Sequence, residues 1–249
     1  MCTVSWLHEE DGYQLLANRD EQRRRPPAEG PQLQERASVR HLAPLDGKAG
    51  GTWLAVNEFG ISICLLNGAC LSQSPAPSPA TAGARERRSR GLVPLELVRA
   101  GSALEACERA WRLDLAAVSP FTLVILEPGQ PAALFEWTGE EKAVLLHADP
   151  YMPLISSSFD EAAVNARRRQ EFSRKLESAG KLDAHALYWF HESHGASPDA
   201  YSPCMHRADA ETVSFSWVRA CEQEVGYFYT PAAPCRWRPG ETIKLARRQ

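Results

Sequence analysis

Apolar and polar positions alternate in short blocks whose spacing separates strands from helices. Cys2 to Leu7 and Tyr13 to Ala17 are runs of strand formers divided by the turn sequence His8 to Gly12, HEEDG, and predict an opening hairpin. A second hairpin follows Gly50-Gly51: Thr52 to Val56, the turn Asn57-Glu58-Phe59-Gly60, and the strongly apolar Ile61 to Leu66, which ends at Asn67-Gly68. The glycine pair fits a backbone passing close to the N-terminal strand. Phe121 to Leu126, Ala132 to Trp137 and Ala143 to His147 predict three more strands, the first two joined through Glu127-Pro128-Gly129-Gln130, and Thr212 to Val218 and Val225 to Tyr229 close the series.

Apolar residues recur at three- and four-residue spacing in Leu92 to Ala100 and in Ala103 to Leu113, which predicts helices. Asp160 to Ser178 is amphipathic and rich in Arg and Glu, with Ser158 or Asp160 as N-cap, and Leu182 to His191 predicts another helix. Strand pairs alternating with helix pairs point to an α+β chain, two sheets between helical layers, in a single domain spanning residues 1–249 with no internal repeat. Ser72 to Gly83, SQSPAPSPATAG, breaks the pattern as a proline-rich loop and, following Asn67, suits a flap over a site.

Composition narrows the function classes. With 249 residues, 44% hydrophobic and a formal net charge of -3, the chain can bury a substantial core and is not a general nucleic-acid binder. Its basic clusters, Arg23 to Arg25, Arg85 to Arg90 and Arg167 to Arg169, read as solvated faces or as one wall of a groove for an anionic substrate. No run approaches the ~20 apolar residues of a membrane span and no signal peptide precedes Cys2, so a cytoplasmic protein without membrane insertion is expected. Seven cysteines without CxxC spacing suit a reducing compartment better than a disulfide framework or a zinc site. Cys204, Met205 and His206 are all possible metal or haem ligands but are poorly spaced for joint ligation in a strand, and His191 and His194 read as a surface pair. No metal is therefore expected and no cofactor is required.

Cys2 is the most distinctive residue. Removal of Met1 would make it the first residue, with an α-amino group of pKa near ~8 able to take the thiol proton without a separate His or Asp. The thiolate would attack a carbonyl carbon and the new ammonium would protonate a leaving amine. The second strand of the opening hairpin returns Asn18, Arg19, Asp20 and Glu21 to the level of Cys2. Arg19 suits lowering of the thiol pKa or a bidentate grip on a substrate carboxylate, Asp20 suits orienting the α-ammonium, and Asn18 and Glu21 are candidate substrate contacts. The bland alternative is a solvated strand end running into Arg23 to Pro27.

Several words of the sequence, MCTV at the N-terminus, NRDE at Asn18 to Glu21, Arg25-Pro26, GGTWLAV at Gly50 to Val56 and CMHRADAETVSFSW at Cys204 to Trp217, resemble the NRDE proteins, which include the transport and Golgi organisation proteins. That family is similar to N-terminal nucleophile hydrolases, which implies a four-layer αββα sandwich with Cys at the head of a central strand. Bile salt hydrolases and penicillin acylases of that fold also begin Met-Cys-Thr.

The resemblance implies Asn67 as an oxyanion donor, although a turn-forming Asn-Gly pair explains it as simply. It also implies Arg207, which precedes a substrate-facing strand, as a site residue. An amidase asparagine has its counterpart in Ile155 to Ser158, where Ser157 is the candidate substrate contact with a hydroxyl of shorter reach. Those amidases place their Asp three residues after the Arg; here Arg19 and Asp20 are adjacent, and successive strand residues face opposite ways unless the strand bulges or ends there. Whether Asp20 or Glu21 faces Cys2 stays open.

Two functions remain. One is a cysteine hydrolase of an amide or thioester with Cys2, Arg19, Asp20 and Asn67 in catalytic roles. The other, implied by the family's links to haem trafficking and lipid metabolism, is a non-catalytic carrier of haem, acyl-CoA or another amphipathic small molecule.

Overall fold

The computed structural model describes residues 2–71, 87–236 and 240–248; the loop at 72–83 lies outside them. The predicted opening hairpin is β1 (Cys2–Glu9) and β2 (Gly12–Gln22), longer than the apolar runs alone indicate. It is followed by β3 (Glu29–Arg36), β4 (Val39–Leu45), β5 (Leu54–Asn57) and β6 (Ser62–Asn67). Helices α1 (Leu92–Leu97) and α2 (Ala103–Arg112) precede β7 (Phe121–Leu126), β8 (Ala133–Trp137), β9 (Lys142–Leu145) and β10 (Leu154–Ser156). The chain continues through α3 (Glu161–Ala179), α4 (Ala184–His191), β11 (Ala210–Ala220), β12 (Glu224–Thr230) and β13 (Glu241–Ala246).

The strands form two antiparallel sheets, of order β10-β1-β2-β11-β12-β13 and β3-β4-β5-β6-β7-β8-β9. Alternation along β2 explains why its apolar run is continuous rather than every-other-residue. Leu15 and Ala17 join Val4 and Trp6 in a core shared with Leu54, Val56, Leu66 and Val124 of the other sheet. Leu16 points the opposite way, to Phe172 of α3 and Leu187 and Phe190 of α4. A strand covered on both faces need not alternate apolar with polar residues. On the seven-stranded sheet, Ile63, Leu65 and Leu123 pack against Val93 and Leu97 of α1 and Ala106 and Ala110 of α2.

Local chemistry sets the helix limits. Ser102, Asp160 and Asp183 accept from backbone N–H groups at the starts of α2, α3 and α4, and Gly180 takes the left-handed conformation (φ 73°) that ends α3. The helix expected over Leu92 to Ala100 stops at Leu97, because the Asn57 side-chain amide donates to the carbonyls of Val98 (2.8 Å) and Ala100 (2.7 Å). Four strands are absent from the sequence reading. β3 and β13 lie at sheet edges, and most side chains of β3 are not buried. β10 is three residues long, and β4 pairs with β5 through only His41 and Leu42.

All seven cysteines are free thiols. No helix among the described residues is long and apolar enough to cross a membrane.

The Gly50-Gly51 step was expected against the N-terminal strand; Gly51 instead meets Gly91. Thr52 N–H donates to the Gly91 carbonyl at 2.8 Å, and a Cβ on Gly51 would lie 2.5 Å from the Gly91 carbonyl carbon. Backbone cannot yield as a flexible side chain does. Gly51→Ala is expected to cost about 1–3 kcal/mol, an overpacking cost, read as a lowered urea midpoint at unchanged m-value.

Candidate active site at the head of the N-terminal strand

The register of the opening hairpin places Cys2 directly opposite Arg19 on β2 and opposite Ser156 on β10. Cys2 N–H donates to Ser156 Oγ at 3.1 Å, so the nitrogen that would become the α-amino group already has an oriented hydroxyl partner. The thiol is 7% exposed. Burial pushes its pKa above the ordinary cysteine value; the charged amino terminus and Arg19 oppose that rise, while Asp20 and Glu21 add to it. A thiol in such a place ionises only with a base at hand.

Cys2, Arg19, Asp20, Glu21 and Asn67 line one cavity of about 130 Å³ between the sheets, together with Arg25, Asp46 and Arg90. A second cavity of about 260 Å³ adjoins it through Arg19, Glu21 and Arg25. The open question of Arg19 and Asp20 has a geometric answer. Arg19 shares the inter-sheet face with Cys2, where its guanidinium lies 4.3 Å over the Trp53 ring and donates to Asp46 Oδ2 at 2.6 Å. Asp20 belongs to the opposite face and accepts from Arg168 of α3 at 3.0 and 3.1 Å. Opposite the pair, β11 shifts register between Thr212 and Ser214, a bulge at the strand end that leaves Asp20 within the cavity wall.

Asp46 is the anchor of the cationic wall. Beyond Arg19 it receives Arg25 in a fork, Nε and Nη2 both at 2.9 Å, and the Ala49 N–H at 2.9 Å. Burial works against its charge, but the Arg25 hydrogen bonds and the Ala49 N–H hold its carboxyl below the usual range. Arg90 is different: its side chain donates to the Pro120 carbonyl at 3.0 Å and forms no ion pair among the described residues.

Three sequence candidates lie outside this cavity. Asn18 faces the helices and donates to the carbonyls of His191 (2.8 Å) and Pro203 (2.9 Å). The Ser157 hydroxyl closes a local turn onto the Phe159 carbonyl at 2.6 Å. Arg207 forks onto Asp209 at 2.9 and 2.8 Å and lies 4.7 Å over the Phe159 ring. Sequence reasoning passed over Asp46, and it held Ser156 only within the Ile155 to Ser158 segment, Arg90 only within the Arg85 to Arg90 cluster that it read as a solvated face or the wall of an anion groove, and Arg168 only within the Arg167 to Arg169 cluster. Of the Arg167 to Arg169 cluster, the middle member is fully buried while its neighbours are exposed.

The Arg168–Asp20 pair is wholly buried on both sides, with Arg168 also donating to Thr3 Oγ1 and the Thr212 hydroxyl donating to Asp20 Oδ1 at 2.6 Å. Arg168→Met would strand the carboxylate and is expected to cost about 3–5 kcal/mol. Adding Asp20→Asn should recover part of that loss. A double-mutant cycle by urea denaturation checks it; additive single effects would show that the two charges do not couple.

Comparison with known proteins agrees with this architecture. A Cys-to-Ala mutant of conjugated bile acid hydrolase from Clostridium perfringens superposes with a TM-score of 0.57 at 11% identity, covering 99% of this chain and 92% of that one. The Caenorhabditis elegans ortholog of N-acylethanolamine-hydrolyzing acid amidase superposes with a TM-score of 0.55 at 11% identity, covering 87% and 92%. At such identity the likeness concerns the fold. No curated protein matches the sequence. The family described as Transport and Golgi organisation 2 matches residues 1–201, a span that holds the N-terminal cysteine, the NRDE segment ending β2 and the GGTWLAV segment beside the cavity, and the chain belongs to that family.

Proposed function

We propose that this chain is an N-terminal cysteine hydrolase of an amide or thioester, built as one domain on a four-layer αββα sandwich. The observation that carries the reading is the meeting of Cys2, Arg19, Asp20 and Asn67 at one cavity, with Ser156 Oγ 3.1 Å from the Cys2 nitrogen. Helices against the outer face of each sheet and the hydrolase fold of the structural neighbours support the layered arrangement. Seven free thiols suit a reducing compartment such as the cytoplasm.

In this mechanism, loss of Met1 turns the Cys2 nitrogen into a free amine held by Ser156. The amine takes the thiol proton and Sγ bonds to the substrate carbonyl carbon, moving the carbonyl electron pair onto oxygen. The Asn67 amide donates to that oxyanion. As the oxyanion collapses, the C–N or C–S bond breaks, and the ammonium returns its proton to the leaving amine or thiolate. Water, deprotonated by the same amine, then attacks the acyl-thioester and releases the acid and the thiol. Asp20, fixed by Arg168 and Thr212, favours the ammonium form, and Arg90 receives an anionic group of the substrate.

Intact mass and peptide mapping after brief exposure to a small alkylator test the first requirement. The expected outcome is absence of Met1 and labelling of Cys2 well ahead of the deeply buried Cys64 and Cys107. With amide and thioester libraries, turnover by the native protein should vanish in Cys2→Ala. Retained Met1, or an inert Cys2, removes the catalytic reading. Haem or acyl-CoA affinity that survives Cys2→Ala in a chain without turnover would favour the carrier.

A further inference from the structure

Away from the cavity, four side chains from three chain segments converge: His194 after α4, Cys204 and His206 before β11, and Cys235 after β12. One ligand atom from each lies within 4.8 Å of every other. We infer that these four residues form a closed tetrahedral zinc site that staples the three segments together.

The donor chemistry fits. Two thiolates and two imidazoles in tetrahedral array are a set for zinc, and two thiolate charges cancel the charge of the ion. The spacing fits as well. His206 Nε2 is 3.6 Å from Cys204 Sγ and 3.3 Å from Cys235 Sγ, whereas the sulfur–nitrogen edge of a zinc tetrahedron with ~2.3 Å and ~2.0 Å bonds is about 3.5 Å. The His194 and His206 rings stand 5.1 Å apart at 62°.

Hydrogen bonding alone accounts for the cluster poorly. A neutral His206 has one acceptor lone pair for two thiols, and the buried His194 Nε2 has no hydrogen-bond partner among the described residues. Cys204 is completely buried, and its N–H donates to the Ser193 carbonyl at 3.0 Å, which fixes it beside His194.

An acidic group also lies near the cluster. On the far side of the His206 ring, Nδ1 faces the Glu211 carboxylate at 3.8 Å, an ion-pair distance longer than a hydrogen bond. The same loop reaches the candidate active site: Met205 N–H donates to Thr212 Oγ1 at 2.8 Å, and that hydroxyl donates to Asp20 Oδ1 at 2.6 Å. Zinc would thereby stiffen the segment that holds Asp20, without touching substrate.

The test uses the full chain, purified under reducing conditions without chelator. Elemental analysis should find one zinc per chain, the stoichiometry of a closed four-ligand site. Exchange with Co²⁺ should give both thiolate-to-cobalt charge transfer in the near ultraviolet and the intense visible bands of tetrahedral cobalt. Cys204→Ser and Cys235→Ser should lose the charge-transfer intensity, and Cys221→Ser should keep it. If the serine variants do not fold, the spectrum of the native chain decides. A folded native chain that takes up neither zinc nor cobalt, cobalt bands that survive Cys204→Ser with Cys235→Ser, or a Cys204–Cys235 disulfide in the reduced preparation would overturn the site.

Discussion

A carboxylate with no access to water governs the head of this molecule. Asp20 is held at the end of β2 by two hydrogen bonds from Arg168 and one from Thr212, and neither it nor Arg168 has exposed side-chain surface. Removing two charges from water is unfavourable unless they are paired; here they are, although the buried Arg168 Nε has no hydrogen-bond partner among the described residues. The arrangement therefore dictates much around it. Helix α3 must present Arg168 at this depth, Thr3 must face the helices to receive its second contact, and β11 must bulge where Thr212 turns its hydroxyl to Asp20. Thr3 and Cys2 are adjacent, so a β1 that sends Thr3 to Arg168 sends Cys2 into the cavity between the sheets.

The opening hairpin was legible because its information is local. Two apolar runs divided by HEEDG specify a turn, and period-two alternation then fixes that Cys2 and Arg19 share a face. The conflict between adjacent Arg19 and Asp20 was also visible in the sequence, and alternation resolves it by sending Arg19 to the cavity and Asp20 to Arg168, with a register shift in the neighbouring strand. The location of that shift was not visible, because it lies on β11, nearly two hundred residues downstream, and depends on which strand pairs with β2. Asp46 was silent for the same reason. A single acidic residue after a strand carries no signature; only folding brings to it Arg19 of the other sheet and Arg25 of the connection between β2 and β3.

Charge runs misled where burial decided. Arg167 to Arg169 has the composition of a solvated helix face, and two of its members are exposed. Helical periodicity turns the third inward together with Val164 and Phe172, so the buried face of α3 mixes a guanidinium with apolar groups. Hydropathy averages such a residue away. The short, polar or edge strands escaped notice by a related route: β3 and β10 lack the alternation that burial of one face imposes, and pairing rather than side-chain pattern defines them.

Both faces of β2 are committed, and this commitment ties the cavity to the far side of the sheet. Asn18 donates to carbonyls at His191 and Pro203, the residues that flank the loop bearing His194 and lead directly into Cys204. Its neighbour Arg19 enters the cavity beside Cys2. A displacement of the Cys204 loop must therefore break the Asn18 amide bonds, the Met205–Thr212 contact, or both, and each lies within one residue of a cavity-lining side chain on β2 or is bonded to one. The same backbone carries the cavity on one face and the loop contacts on the other.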